Sequence, residues 1–343
     1  MAAALYTLEQ TLKDQQDLEK LCRDRPLQTN EIFSPNAFYG IDYVIKSYAG
    51  LPSNYKLKII FPHGMRLGRT IWDVETRSLL PTIAAYDEEY KAILENYYIH
   101  HGINKIVLPM TFAFSYIPML LKGHQQPDRN GTIFFPQHST HHVTVQADFE
   151  AVAESLERFE KRYQPITVCI YWRDYNLGHH LPFAKRGFKI VSAGHIYDPL
   201  FLFRFYRLCS MHQFAASNQP GSNLFYAVKS GCDFFFIDVA REYVLKGDPA
   251  RLKSDVGGIK PELKEKLFSV FHKKNIGMNE EKMELVDYYM GTKYLLPSEK
   301  LMDIIKEADH IFMARFFHRQ WMRGLNFLRR VFNKFFVANQ IRK

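Results

Sequence analysis

The sequence predicts an α/β protein: two parallel-sheet units facing a cleft, followed by a helical C-terminal extension. Three observations carry this. Five short apolar runs alternate with helix-period segments between Thr132 and Ile237, the pattern of a sheet covered on both faces. A shorter alternation of the same kind precedes it. Beyond Asp238 the period is helical throughout. The chain has 343 residues, 47% of them hydrophobic, more than one domain usually needs for its core. The expected division is an N-terminal helix over 1–29, a Rossmann-like unit over 30–130, a second Rossmann-like unit over 131–255, and a helical extension over 256–343.

In chain order, residues 1 to about 28 read as a polar helix, with Leu8, Leu12 and Leu18 among charges. Asn36 is placed to cap a helix from Ala37 to Tyr48, which Gly50 and Pro52 end. Lys58–Phe61 is a short buried strand that displays His63 at its carboxyl edge. A helix is expected within Pro81–Tyr98, then a strand at Ile106–Pro109. Arg129-Asn130-Gly131 is a turn and marks the boundary between the two units.

The second unit opens with a strand at Thr132–Phe135. Asp148 caps a helix whose face is Phe149, Val152, Leu156, Phe159 and Tyr163. Strands follow at Ile166–Tyr171 and Phe188–Val191, a helix at Pro199–Met211, a strand at Phe214, and a fifth strand at Cys232–Ile237. Helices are expected at Pro261–His272, Asn279–Tyr289 and from Ser298 to about His310.

Composition narrows the class. The four cysteines form no Cys-x-x-Cys pair, so they read as buried free thiols of a reducing compartment. The longest apolar run, Ile106–Leu121, contains Pro109 and Pro118 and is shorter than the ~20 residues a membrane span needs. The N-terminus lacks the features of a signal peptide. A cytoplasmic chain is expected. Of the net charge of +9, eight positive side chains fall between Ile311 and Lys343, where no acid occurs. That describes a basic tail on a near-neutral body, and it disfavours a nucleic-acid-binding domain.

Ligands of parallel sheets sit at the carboxyl ends of the strands. Two segments fall there. One is the turn from Ser217 through Asn218, Gly221 and Ser222, leading into a helix that carries Tyr226. Its hydroxyls and backbone N–H groups at a helix N-terminus suit a phosphate, although an ordinary strand-to-helix turn uses the same residues. The other is His138-Ser139-Thr140-His141-His142. Its hydroxyls and imidazoles can donate to an anion, favoured for His138, Ser139 and Thr140; as a plain turn, Ser139 and Thr140 would cap the next segment. No metal ligand set is expected, because the histidines lack a nearby acid or cysteine. His63 is a candidate general base, with Glu75 or Asp73 as substitutes. There is no Asp-x-Asp pair, P-loop or Gly-x-Gly-x-x-Gly, which argues against metal-held diphosphates, NTP hydrolysis and an ordinary NAD site.

In the tail, Arg315, Arg319, Arg323, Arg330 and Lys334 share one helical face. Phe317, Trp321, Leu325, Leu328, Phe332 and Phe335 share the opposite one, and Gly324 is the weak point. The two readings are an apolar face packed on the core, or contact with an anionic membrane surface.

Three stretches together resemble bacterial GT-B-type glycosyltransferases of surface polysaccharide synthesis, the sialyltransferase-like and Kdo-transferase-like group. They are Asn36–Asp42 through Leu51-Pro52 to Phe61-Pro62-His63-Gly64, then Phe134–Thr140, then Ser217–Gly231. The resemblance implies two GT-B-like domains and a metal-independent, cofactor-free transfer. The donor would be a nucleotide sugar, with CMP-linked sugars one class, and the acceptor a glycan or lipid-linked sugar in capsule or lipopolysaccharide assembly. It implies that Ser217 to Gly231 binds the donor. The enzyme would sit in the cytoplasm, peripheral to the inner membrane through its tail. The family's acidic catalytic motif has no match here, and His63 stands in its place. The rival expectations are a nucleotide-sugar epimerase of similar architecture and a non-catalytic scaffold of a polysaccharide assembly complex.

Overall fold

The computed structural model describes residues 17–122, 128–239, 244–247 and 258–340, with side chains described as far as His318 and at Trp321. Of the expected N-terminal helix, residues 1–16, with Leu8 and Leu12, lie outside the described residues. The described part is one turn, α1 (Leu18–Cys22), capped by Asp17.

Asn36 does not cap a helix. It lies in a 3-10 segment, and α2 begins at Ile41 (Ile41–Tyr48). Its fully buried side chain donates to Ile59 O (2.8 Å) and accepts from Phe61 N (2.9 Å). It thereby completes the outer edge of β1 (Ile59–Ile60), whose backbone groups would otherwise be unpaired. α3 (Asp73–Arg77) follows. Thr82–Ala85, expected in a helix, is strand β2. All four residues are buried, and so short an apolar run carries no period to mark it as strand. Asp87 then caps α4 (Glu88–His100), and β3 (Ile106–Pro109) completes a parallel sheet of order β1-β2-β3. α5 (Ile117–Leu120) closes this half.

The second half starts with β4 (Thr132–Phe135) and β5 (Val143–Gln146). Next come α6 (Phe149–Glu157), β6 (Ile166–Cys169), α7 (Trp172–Asn176), α8 (Leu181–Lys185) and β7 (Lys189–Val191). α9 (Phe201–Ser210), β8 (Phe214–Ser217), α10 (Ser222–Lys229), β9 (Asp233–Phe236) and β10 (Val244–Gly247) complete it. All five expected strands are present, in a parallel sheet of order β7-β6-β4-β8-β9. The order reverses at β4 and β8, the switch point where such sheets open a crevice at their carboxyl ends. β5 and β10 form a separate antiparallel ribbon that the sequence reading missed.

Then come α11 (Pro261–Val270), α12 (Glu280–Met290, capped by Asn279) and α13 (Ser298–Gln340). α13 continues far beyond the expected end at His310. One apolar cluster runs from Ile41 and Phe61 through Ile133 and Leu224 to Met290 and Ala308, so both sheets and the C-terminal helices share a core. The Phe112 N–H (2.9 Å) and the Thr111 hydroxyl (3.0 Å) both donate to Met290 O, tying α12 to the end of β3. All four cysteines are free and buried.

Candidate nucleotide cavity

A cavity of about 470 Å³ lies at the carboxyl ends of β4, β6 and β8, closed on its far side by the loop after β1. Its base is the start of α10. Gly221, in extended backbone, stands at the N-cap without any side-chain cap, and Gly221, Ser222 and Asn223 all line the cavity. An uncapped helix start presents N–H groups and the positive end of the helix dipole to whatever occupies the space. The Ser222 hydroxyl accepts from Met65 N–H (3.0 Å), so it also ties the β1 loop to α10. Gly64 has φ +71, and a Cβ there would lie 3.4 Å from the Ser222 hydroxyl.

Ser217 lines the cavity from the end of β8. Its buried hydroxyl bonds to Phe135 O (2.8 Å) and Gln219 O (3.0 Å), which fixes the turn. Tyr226 lines it from α10, stacked on Phe114 (4.6 Å between centroids), with its phenol pushed up by burial. Asn218 does not line the cavity; its side chain accepts from Gln137 N–H (3.0 Å) and joins the β4 and β8 loops.

In the β4 loop, only His138 behaves as expected of a ligand. It lines the cavity with its ring 4.7 Å from that of Tyr171. Its Nδ1–H donates to Ser139 O (2.9 Å), which leaves Nε2 as the acceptor in that tautomer. Ser139 and Thr140 are corrected. Ser139 is fully buried, donates to Asp174 through its hydroxyl (2.7 Å) and backbone N–H (2.9 Å), and accepts from Val145 N–H (3.0 Å). The Thr140 hydroxyl accepts from Val143 N–H (3.1 Å) and His142 N–H (3.3 Å). Both anchor the turn into β5, and neither lines the cavity. His142 is exposed.

His63 lines the cavity from the β1 loop, its ring against Trp72 (4.6 Å) and Phe38 (5.0 Å). Burial, and after it the charge of Arg66, hold its pKa well below the ordinary histidine value, so the ring is neutral. Glu75 is corrected as a base. It is buried outside the cavity and paired with Arg66, and it accepts from Trp72 N–H (3.3 Å). Burial raises its carboxyl pKa. The Arg66 guanidinium lies 4.1 Å above the Trp72 ring, so Glu75 and Arg66 support the wall behind His63. Asp73 pairs with Arg77 at the surface (2.9 Å).

Sequence reasoning missed several lining residues. Tyr39 sits at φ +59, a conformation rare for a side-chain-bearing residue. Its N–H bonds to Ile196 O (2.6 Å), and its hydroxyl lies 3.4 Å from that of Tyr171. The next residue must be glycine: Gly40 has φ +74, and a Cβ would meet Pro199 O at 2.0 Å. Lys264 of α11 and Ile259 also reach the cavity. Among the described residues, no carboxylate lines it.

His141 belongs to a second cluster. Asp24, His141 and His195 each offer a ligand atom within 4.8 Å of the others. His195 Nδ1 accepts from Tyr197 N–H (3.1 Å), so the proton sits on Nε2 and points to Asp24 Oδ1 (3.2 Å). A cation at Nε2 would have to displace that proton, so the donor set fits a hydrogen-bonded cluster.

Of the expected membrane contacts, Arg319, Arg323, Arg330 and Lys334 have side chains outside the described residues. Arg315 is described, and it donates to Asn104 O (2.5 Å) and Asn104 Oδ1 (3.0 Å). No described helix is long and apolar enough to cross a membrane.

No family model matches the chain, and no curated protein matches it. Among solved structures it is similar to a mutant of S. aureus TarM in complex with fondaparinux, alpha-GlcNAc-glycerol and UDP. The TM-score is 0.33 and the identity 9%, over 76% of this chain and 52% of that one. The chain thus spans about half of that structure.

Proposed function

We propose that the cavity binds a nucleotide-activated sugar and that the protein transfers the sugar to a glycan or lipid-linked acceptor without a metal. The observation that carries this reading is the cavity's charge. A helix N-terminus and Lys264 face a space that, among the described residues, no carboxylate enters. Such a described lining favours an anion. In this reading the units over 30–130 and 131–255 are the acceptor and donor sides. The Tyr171 and His138 rings, tilted 45° to each other, offer aromatic faces for the base. The nucleotide phosphate lies at the start of α10, near Ser217 and Ser222.

The chemistry follows from those positions. Neutral His63 accepts the proton of the acceptor hydroxyl. The acceptor oxygen bonds to the anomeric carbon as the bond from that carbon to the phosphate oxygen breaks. The electron pair goes to the departing phosphate, where the α10 dipole and the Lys264 ammonium stabilise the added charge. A CMP-linked donor and an acceptor in capsule or lipopolysaccharide assembly remain part of the proposal. The test is nucleotide binding by Ser222→Ala and His138→Ala. Each variant is expected to bind several-fold more weakly; His138→Ala should do so at nearly unchanged thermal stability, whereas Ser222→Ala also loses the bond from Met65 N–H and melts somewhat lower. Unchanged affinity in both would place the site elsewhere.

A further inference from the structure

Helix α13 changes the chemistry of its inner face partway along. Leu301, Ile305 and Ala308 are buried against the body, and Phe312 packs on the cluster around β2 and α4. Steps of three and four continue that row to Arg315, which bonds Asn104. In the sequence the same spacing continues through Arg319 and Arg323. The apolar residues move to the other side. Met313, Phe316, Phe317 and Trp321 are 42%, 44%, 62% and 69% exposed. Of the expected apolar face, Phe317 and Trp321 are turned out while Arg315 meets the body; the side chains of Leu325, Leu328, Phe332 and Phe335 lie outside the described residues.

The body-facing side of the same segment borders a further exposed apolar residue. Leu79 is 67% exposed and shares a groove of about 320 Å³ with Lys105, Arg315 and His318. An apolar surface of this kind, edged by cations, needs an occupant. Charge decides which. From Ile311 to Lys343 there are eight basic residues and no acid, so two such helices from two copies would repel. An anionic lipid surface satisfies both halves of the pattern, with aromatics entering the acyl boundary and cations at the headgroups.

We infer that the outward row of Met313, Phe316, Phe317 and Trp321 inserts into an anionic membrane surface. This inference does not depend on the reaction in the cavity. It differs from contact through the arginine face, because the aromatics carry the insertion.

The test uses the full chain and vesicles of phosphatidylcholine with or without about one-third phosphatidylglycerol. The chain is expected to sediment with the anionic vesicles and not with the neutral ones. Trp172 is buried and Trp72 is packed between Arg66 and His63, so a blue shift of tryptophan emission on binding reports Trp321. Phe317→Glu with Trp321→Glu is expected to lower the bound fraction by about tenfold or more, with an unchanged thermal unfolding midpoint in the absence of vesicles as the check on folding. No binding to anionic vesicles, or undiminished binding by the double variant, overturns the inference. Concentration-dependent dimerisation that the same variant abolishes, without vesicle binding, assigns the row to a second copy and overturns it as well.

Discussion

Lys264→Ala isolates the electrostatic part of the proposed site. Lys264 enters a cavity of about 470 Å³, roughly 10 Å across, whose described lining holds no carboxylate. A phosphate at the centre of a space that wide would lie about 5 Å from a charge on its wall. At an effective dielectric of about 20, one charge pair at that distance is worth roughly 3 kcal/mol. Desolvation of the ammonium offsets part of this, leaving about 1.5–3 kcal/mol, as for other hydrogen bonds to charged groups. Removing the amine should therefore weaken a nucleoside diphosphate by about 10- to 100-fold. The parent nucleoside, which carries no phosphate, should lose less than about threefold. Isothermal titration of both ligands against both proteins reads the difference, and Lys264→Arg should recover part of it. Equal losses for nucleoside and diphosphate, or none for either, would refute the reasoning.

Asn36→Ala removes two buried hydrogen bonds at the edge of β1, and should cost about 2–5 kcal/mol, read as a lower denaturant midpoint at unchanged slope. His195 supplies a pH dependence. Burial lowers its pKa from 6.5 to about 4, opposed by Asp24 and assisted by His141 and Arg25. The unfolded chain then binds more protons between those values, so stability is full above about pH 6.5 and falls as pH drops towards 4, by roughly 3 kcal/mol. His195→Asn should flatten that acid limb of the stability curve, and an unchanged limb would reassign the dependence.

The second sheet and its cavity edge were legible because their signals are local. The five apolar runs are each a complete strand, and the Ser217–Ser222 turn precedes a helix whose start needs no tertiary contact to be recognised. What failed was hydroxyl assignment. Ser139 and Thr140 have the composition of ligands, but their hydroxyls satisfy backbone N–H groups and Asp174, which only the folded loop reveals. β2 was hidden because four buried residues carry no period. Tyr39 and Lys264 were not legible because long-range packing brings them to the cavity from opposite ends of the chain. Glu75 looked available in the sequence because nothing there shows Arg66 folding back onto it.

The most direct measurement is release of free nucleotide from a panel of CMP-, UDP- and GDP-sugars incubated with the protein and an oligosaccharide acceptor, in the presence of a divalent-metal chelator. The account predicts turnover with at least one donor, unaffected by the chelator, and strongly reduced in His63→Ala. Release of nucleotide from none of the donors, or release that the chelator abolishes, would contradict it.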